Sequence, residues 1–235
     1  PKHAHRSPLS YWVLVQTAFS FFYTLQFLSR SWFKSLPVPP SLTPSRSPSR
    51  TSLIDAANGD AIATAEFLEA ASSLVTLFDV LGSAAFTPVK NDLLGNIKKV
   101  QDRLNQAPDE SRTLQDLVRN ELKTKKHTAT EGLLWLVRGL DFTAQALRHN
   151  INNAASELSV SFREAYGGTL KPHHSFLVKP IFSAAMSATP YRADFYKKLG
   201  DDQAKVNAQM DKEIAALEKN VAILKTFLDS KEAKW

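Results

Sequence analysis

An all-α fold is what this sequence predicts, and three observations carry the prediction. From about residue 60 onward the apolar residues recur at three- and four-residue spacing, with no convincing alternating stretch. Only 8 of the 235 residues are glycine, which suits a helix-rich chain. A hydrophobic fraction of 43% supplies an ample core.

The elements follow in order. Residues 61–79 place Phe67, Leu68, Ala71, Leu74, Val75 and Phe78 on one helical face. Thr87 reads as a cap and Pro88 as the first position of a second helix, whose apolar side is Val89, Leu93, Ile97, Val100 and Leu104. A turn at Ala107-Pro-Asp-Glu leads to a helix carrying Leu114, Leu117, Val118 and Leu122. Thr130 and Glu131 open the next, which is apolar around Trp135 and is expected to be buried all round. A helix over 155–166 stops at Gly167-Gly168. Pro172 starts another, which Pro180 is expected to kink and Pro190 to end. A short helix with Tyr191 and Phe195 follows, and Val206, Met210, Ile214, Leu217, Val221, Leu224 and Leu228 form the seam of the last. About eight helices, over residues 53–235, make one domain.

Residues 1–52 are a different kind of sequence. They hold Lys2, Arg6, Arg30, Lys34, Arg46 and Arg50 and no acid, and so carry the whole net charge of +6. The remaining 23 basic side chains balance 23 acidic ones, which argues against a nucleic-acid partner and predicts only a weak need for anionic lipid. The apolar run over residues 11–28 is about the minimum length for a membrane span, and the Pro/Ser/Arg stretch behind it reads as linker. This extension is expected to be a targeting or anchoring segment, or else a gene-model artefact. Cysteine is absent, so there is no disulfide framework, thiolate metal site or thiol nucleophile.

Asp92-x-x-x-Asn96-x-x-Lys99 puts an acceptor, an amide and a cation within about 60° of one another on one helix. On spacing alone this stripe is either a solvated face with an Asp–Lys pair or the edge of a polar cleft that grips hydroxyl groups. Trp135 is likewise either core or a stacking platform. His173 and His174 point about 100° apart on a helix and are poorly placed to chelate one metal, so no metal is expected. No Gly-x-Ser-x-Gly elbow or close carboxylate pair points to catalysis, and no cofactor is implied.

Four segments in order carry a resemblance. They are Phe86 through Lys99, Trp135-Leu-Val-Arg138-Gly-Leu140, His174-Ser-Phe176-Leu-Val-Lys-Pro-Ile-Phe182 and Ala188-Thr-Pro190-Tyr191-Arg-Ala-Asp-Phe195. Together they resemble the glycolipid transfer protein family, and most of all its fungal heterokaryon-incompatibility branch. The resemblance implies a two-layer helical bundle around an apolar lipid cavity, and transfer of glycosphingolipids between membranes without catalysis. It implies that Asp92, Asn96 and Lys99 bind the sugar and the ceramide amide, that Trp135 stacks on the sugar, and that His174 bonds the ceramide amide or a nearby hydroxyl. It implies a tunnel lined by Leu81, Phe86, Pro88, Val89, Phe142, Tyr166, Leu170, Phe182 and Phe195. Phe176 stands where the family often has a membrane-touching Trp, and with Trp235 it is the expected docking contact. A monomeric cytoplasmic carrier that touches membranes transiently is the expectation. The alternatives are a lipid-sensing scaffold, an anchored protein, or a ceramide-1-phosphate carrier, the last disfavoured by Asn96 and Trp135 at sugar-reading positions.

Overall fold

A 25-residue helix, Thr128–Asn152, is the element around which the others assemble. The computed structural model describes residues 54–55 and 60–235; the apolar run over 11–28 and the boundary between residues 52 and 53 lie outside the described residues. Nine α-helices occur among them. They are α1 (Thr64–Val75), α2 (Leu77–Leu81), α3 (Thr87–Gln106), α4 (Leu114–Lys123), α5 (Thr128–Asn152), α6 (Leu158–Gly168), α7 (Val178–Ser187), α8 (Arg192–Leu199) and α9 (Gln203–Asp229). Helices α3, α4, α6 and α9 each pack on α5. One continuous core runs through the bundle from Ile62 to Ala233. No described helix is long and apolar enough to cross a membrane.

Several local expectations are corrected. The stretch over 61–79 is two helices, because both the amide and the hydroxyl of Thr76 donate to the Ser73 carbonyl, at 3.1 and 2.6 Å, and tighten the chain there. A two-residue antiparallel ladder pairs β1 (Ile54–Asp55) with β2 (Ala61–Ile62), too short for any alternation to announce. Pro172 starts no helix. Residues 169–177 form turns, in which the Leu170 carbonyl accepts from the amides of His173 (3.0 Å) and His174 (3.1 Å). Pro180 then falls in the first turn of α7, where an amide has no intrahelical partner to lose, so the expected kink is absent. Thr87 is already helical in α3, with Pro88 behind it.

Helix α5 starts at Thr128, two residues before the position expected from Thr130. Its first turn is closed from outside by Glu121 of α4, which is 4% exposed. That carboxylate accepts from the amides of Ala129 (2.9 Å) and Thr130 (2.7 Å) and from the Thr130 hydroxyl (2.7 Å). The other end is tied to α9 by Arg148, whose guanidinium grips Glu218 with two bonds of 2.9 Å and also pairs with Asp211. Between them Lys225 of α9 reaches Asp141 at 2.6 Å.

Two glycines set how closely α3 approaches α5. A Cβ on Gly132 would lie 2.9 Å from Lys99 Cβ, and one on Gly139 would lie 2.8 Å from Leu93 Cδ2. Seven residues apart, they lie on one side of α5, and Trp135 lies between them on that side. The glycine of Trp135-Leu-Val-Arg138-Gly139 therefore has a packing reason: only without a side chain there can the two helices touch.

Candidate functional site

The stripe on α3 is a chain of hydrogen bonds. Lys99 Nζ donates to Asn96 Oδ1 at 3.1 Å, and Asn96 Nδ2 donates to Asp92 Oδ2 at 3.5 Å. Asn96 is buried (4% exposed), while Asp92 keeps access to solvent. The protein behind Asp92 disfavours its charged form more than Lys99 favours it, so its carboxyl is held above the usual carboxylate range. The stem of Lys99 lies across Gly132 of α5, one turn from Trp135. The α3 stripe and the Trp135 face of α5 thus meet where the two helices are closest.

Trp135 is only half-buried, against the expectation of a helix enclosed on every side. Its ring stacks on His174, with centroids 5.9 Å apart and planes 20° from parallel, and meets the edge of His173 at 6.5 Å. The Arg138 guanidinium sits 5.0 Å from its ring centre, a pairing that the i,i+3 spacing alone predicts. His173 is exposed and also borders the tryptophan.

His174 joins this polar edge to the apolar interior. Its ring lies 4.4 Å from that of Phe182, and its Nδ1 lies 3.1 Å from the Tyr166 hydroxyl. Phe182 stacks on Tyr166 at 5.4 Å, and Phe142 meets Phe162, Tyr166 and Phe182 edge-on. Of the residues expected to line a tunnel, Leu81, Phe86, Val89, Phe142, Tyr166, Leu170, Phe182 and Phe195 are buried. Pro88 departs from that expectation: it is exposed, as a proline spent on starting α3. The Tyr166 hydroxyl is a polar group that the tunnel assignment missed, and no sequence spacing announces its bond to His174.

Phe176 and Leu177 are 79% and 67% exposed at the start of α7, with Ile181 one turn further along. Trp235, the other expected docking contact, is 56% exposed and stacks on His127, before α5, at 5.3 Å. Among the described residues no group of three or more His, Asp or Glu side chains is arranged to hold a metal ion.

The sequence profile of the glycolipid transfer protein (GLTP) family matches residues 62–201. The chain belongs to the glycolipid transfer protein family. A glycolipid transfer protein of Aureobasidium melanogenum is 69% identical over 174 residues, covering 74% of this chain and 87% of that protein. The human pleckstrin homology domain-containing family A member 8 is 36% identical over 181 residues, which are 72% of this chain and 35% of that longer protein. The crystal structure of HET-C2, a fungal GLTP, superposes with a TM-score of 0.76 at 67% identity, over 77% of this chain and 93% of that one. The GLTP-fold of FAPP2, which selects simple glycosphingolipids, gives 0.67 at 32% identity, over 75% and 89%. Mouse ceramide-1-phosphate transfer protein, at 17% identity with a TM-score of 0.69, shares the fold alone. The all-α GLTP bundle is therefore the fold of this chain, and the fungal branch that its motifs resemble is among its near relatives. Proteins of this family transfer lipid and are not enzymes.

Proposed function

We propose that this protein carries single glycosphingolipids between membranes, holding the sugar on the Asp92–Asn96–Lys99 stripe and the ceramide chains among the buried aromatic and aliphatic side chains. The observation that carries the reading is the meeting of that stripe with the Trp135–His174 stack at the edge of the aromatic core, in a chain of this family. Removing a two-chain lipid from a bilayer exposes about thirty methylene groups, at ~0.8 kcal/mol each a cost of roughly 20 kcal/mol. A carrier lowers that cost by offering apolar side chains in place of water. Selectivity then rests at the polar end. A carboxylate and an amide accept and donate to vicinal hydroxyls, an ammonium reaches the ceramide amide, and an indole face covers the ring. A lipid without hydroxyls leaves these groups unpaired, at ~1–3 kcal/mol each.

The reading includes a domain beginning near residue 53, a monomer, and action in the cytoplasm with transient contact at membrane surfaces. Phe176, Leu177 and Ile181 supply an apolar contact for that encounter. Phe176→Ser is expected to lower binding to neutral vesicles about tenfold or more, since a buried Phe contributes ~1.5–3 kcal/mol. Vesicle flotation reads this, and unchanged partitioning would remove Phe176 from the docking surface. Trp135→Ala is expected to weaken glucosylceramide binding about tenfold, in line with the energy of aromatic stacking. Calorimetry with short-chain glucosylceramide measures it, and wild-type affinity would sink the platform role.

Transfer of fluorescent glucosylceramide, galactosylceramide and ceramide-1-phosphate between vesicles, with the 235-residue chain, tests the proposal as a whole. Fast movement of the two glycosylated lipids and not of the phosphate is the expected outcome. Preferential movement of ceramide-1-phosphate would overturn the sugar assignment, and no movement from a folded sample would overturn transfer itself.

A further inference from the structure

His174 touches both halves of the site, and its chemistry depends on which ring nitrogen carries the proton. A neutral imidazole offers one donor and one acceptor, and the partner of one nitrogen fixes what the other presents. Here Nδ1 lies 3.1 Å from the Tyr166 hydroxyl, and Nε2 has no hydrogen-bond partner among the described residues. The ring is held in place by Trp135 on one side and by Phe182 at 4.4 Å.

The bond between Tyr166 and Nδ1 can run in either direction, and the surroundings distinguish the two. Tyr166 is 5% exposed, and its hydroxyl has His174 as its one hydrogen-bond partner among the described residues. If Nδ1–H donated, the phenolic proton would be left buried with no acceptor, a loss that folded proteins avoid. If the phenol donates, its proton is used and the imidazole proton sits on Nε2. Burial pushes the Tyr166 phenol up, so it keeps that proton at neutral pH. Burial also holds the His174 imidazole below its ordinary range, and the Lys179 ammonium and any proton taken up by His173 push the same way, so the ring is neutral at neutral pH.

We propose that Tyr166 is a positioning residue for lipid recognition: its hydroxyl locks His174 in the Nε2–H tautomer, so that this histidine meets the lipid as a hydrogen-bond donor. The ligand group it fits is an acceptor without a proton of its own, the carbonyl oxygen of an amide-linked acyl chain. This rests on the reading of His174 as a lipid-binding residue under the proposed function. It also gives Tyr166 a role beyond tunnel lining. Its ring belongs to the aromatic interior, where it stacks on Phe182 (5.4 Å, 10°), while its hydroxyl serves the polar end.

The test is nitrogen-15 NMR of the imidazole side chains in the 235-residue protein without lipid, joined to affinity measurements with short-chain glucosylceramide. His174 is expected with its proton on Nε2 in the wild type and with a mixture of tautomers in Tyr166→Phe. That variant keeps the ring and the stacking, and is expected to bind glucosylceramide about tenfold more weakly, the equivalent of one hydrogen bond. In a His174→Gln background, whose amide donates without help, Tyr166→Phe is expected to have no further effect. A wild-type ring protonated on Nδ1 overturns the inference, and so does an unchanged tautomer in Tyr166→Phe or an equal loss of affinity in the His174→Gln background. Full affinity in His174→Ala would instead defeat the lipid-binding reading of His174, a failure that the lipid-free NMR measurement separates from that of the tautomer lock.

Discussion

Asp92→Val is expected to abolish glucosylceramide transfer between vesicles while leaving helicity and melting temperature near the wild-type values. The position tolerates the change because Asp92 is exposed on α3 and its bond to Asn96, at 3.5 Å, is at the limit of hydrogen bonding. Valine and aspartate have about the same intrinsic helix propensity, so the exchange costs the helix little. The loss at the ligand is far larger. A carboxylate that accepts from two sugar hydroxyls contributes ~1.5–3 kcal/mol per bond, so removing both lowers affinity about a hundredfold or more. Lys99 and Asn96 remain but lose the anion at the end of their chain. Initial transfer rates and circular dichroism of the same samples decide the matter, and wild-type rates in a folded variant would remove the site assignment. Because the Asp92 carboxyl is held above its usual range and the proposed binding mode uses its ionised form, affinity should weaken on acidification sooner than for an ordinary aspartate.

Glu121→Ala is expected to be the most damaging single change away from the site. The Glu121 carboxylate satisfies three donors at the start of α5, on residues that are 0–1% exposed. Alanine leaves all three buried without a partner, at ~1–3 kcal/mol each, and withdraws a negative charge from a helix N-terminus. A loss of about 3 kcal/mol lowers the melting temperature of a domain of this size by about 6–12 °C. Thermal unfolding followed by circular dichroism measures it; a shift under about 2 °C would show that other groups close the turn. Well below the transition the variant should still bind glucosylceramide, since Glu121 is placed in no ligand contact, and this separates it from Asp92→Val.

Much of the fold was legible because helical periodicity is a local property. The faces carrying Leu114, Leu117 and Val118 on α4, and Val206, Met210 and Ile214 on α9, are buried as their spacing required. Errors fell where a local signal had two readings. Pro172 reads as a helix start and Pro180 as a kink, and only the turn hydrogen bonds around Leu170 decide that Pro172 lies in a turn and Pro180 in the first turn of α7. Thr130 looks like a cap, yet the group that closes α5 is Glu121, reached across a turn.

By itself the sequence determined the all-α class, the Asp92–Asn96–Lys99 stripe on a single helix, and the motifs that placed the chain in its family. These depend on residue types and on a 3.6-residue period, which the chain carries wherever it folds. The tertiary structure alone decided that Trp135 lies beside the stripe, through the close approach permitted by Gly132 and Gly139, and that Trp135 itself is only half-buried there. It alone joined His174 to Trp135, Phe182 and the Tyr166 hydroxyl. Such contacts arise where separate helices cross, and no periodicity within one helix encodes what the next one brings to it.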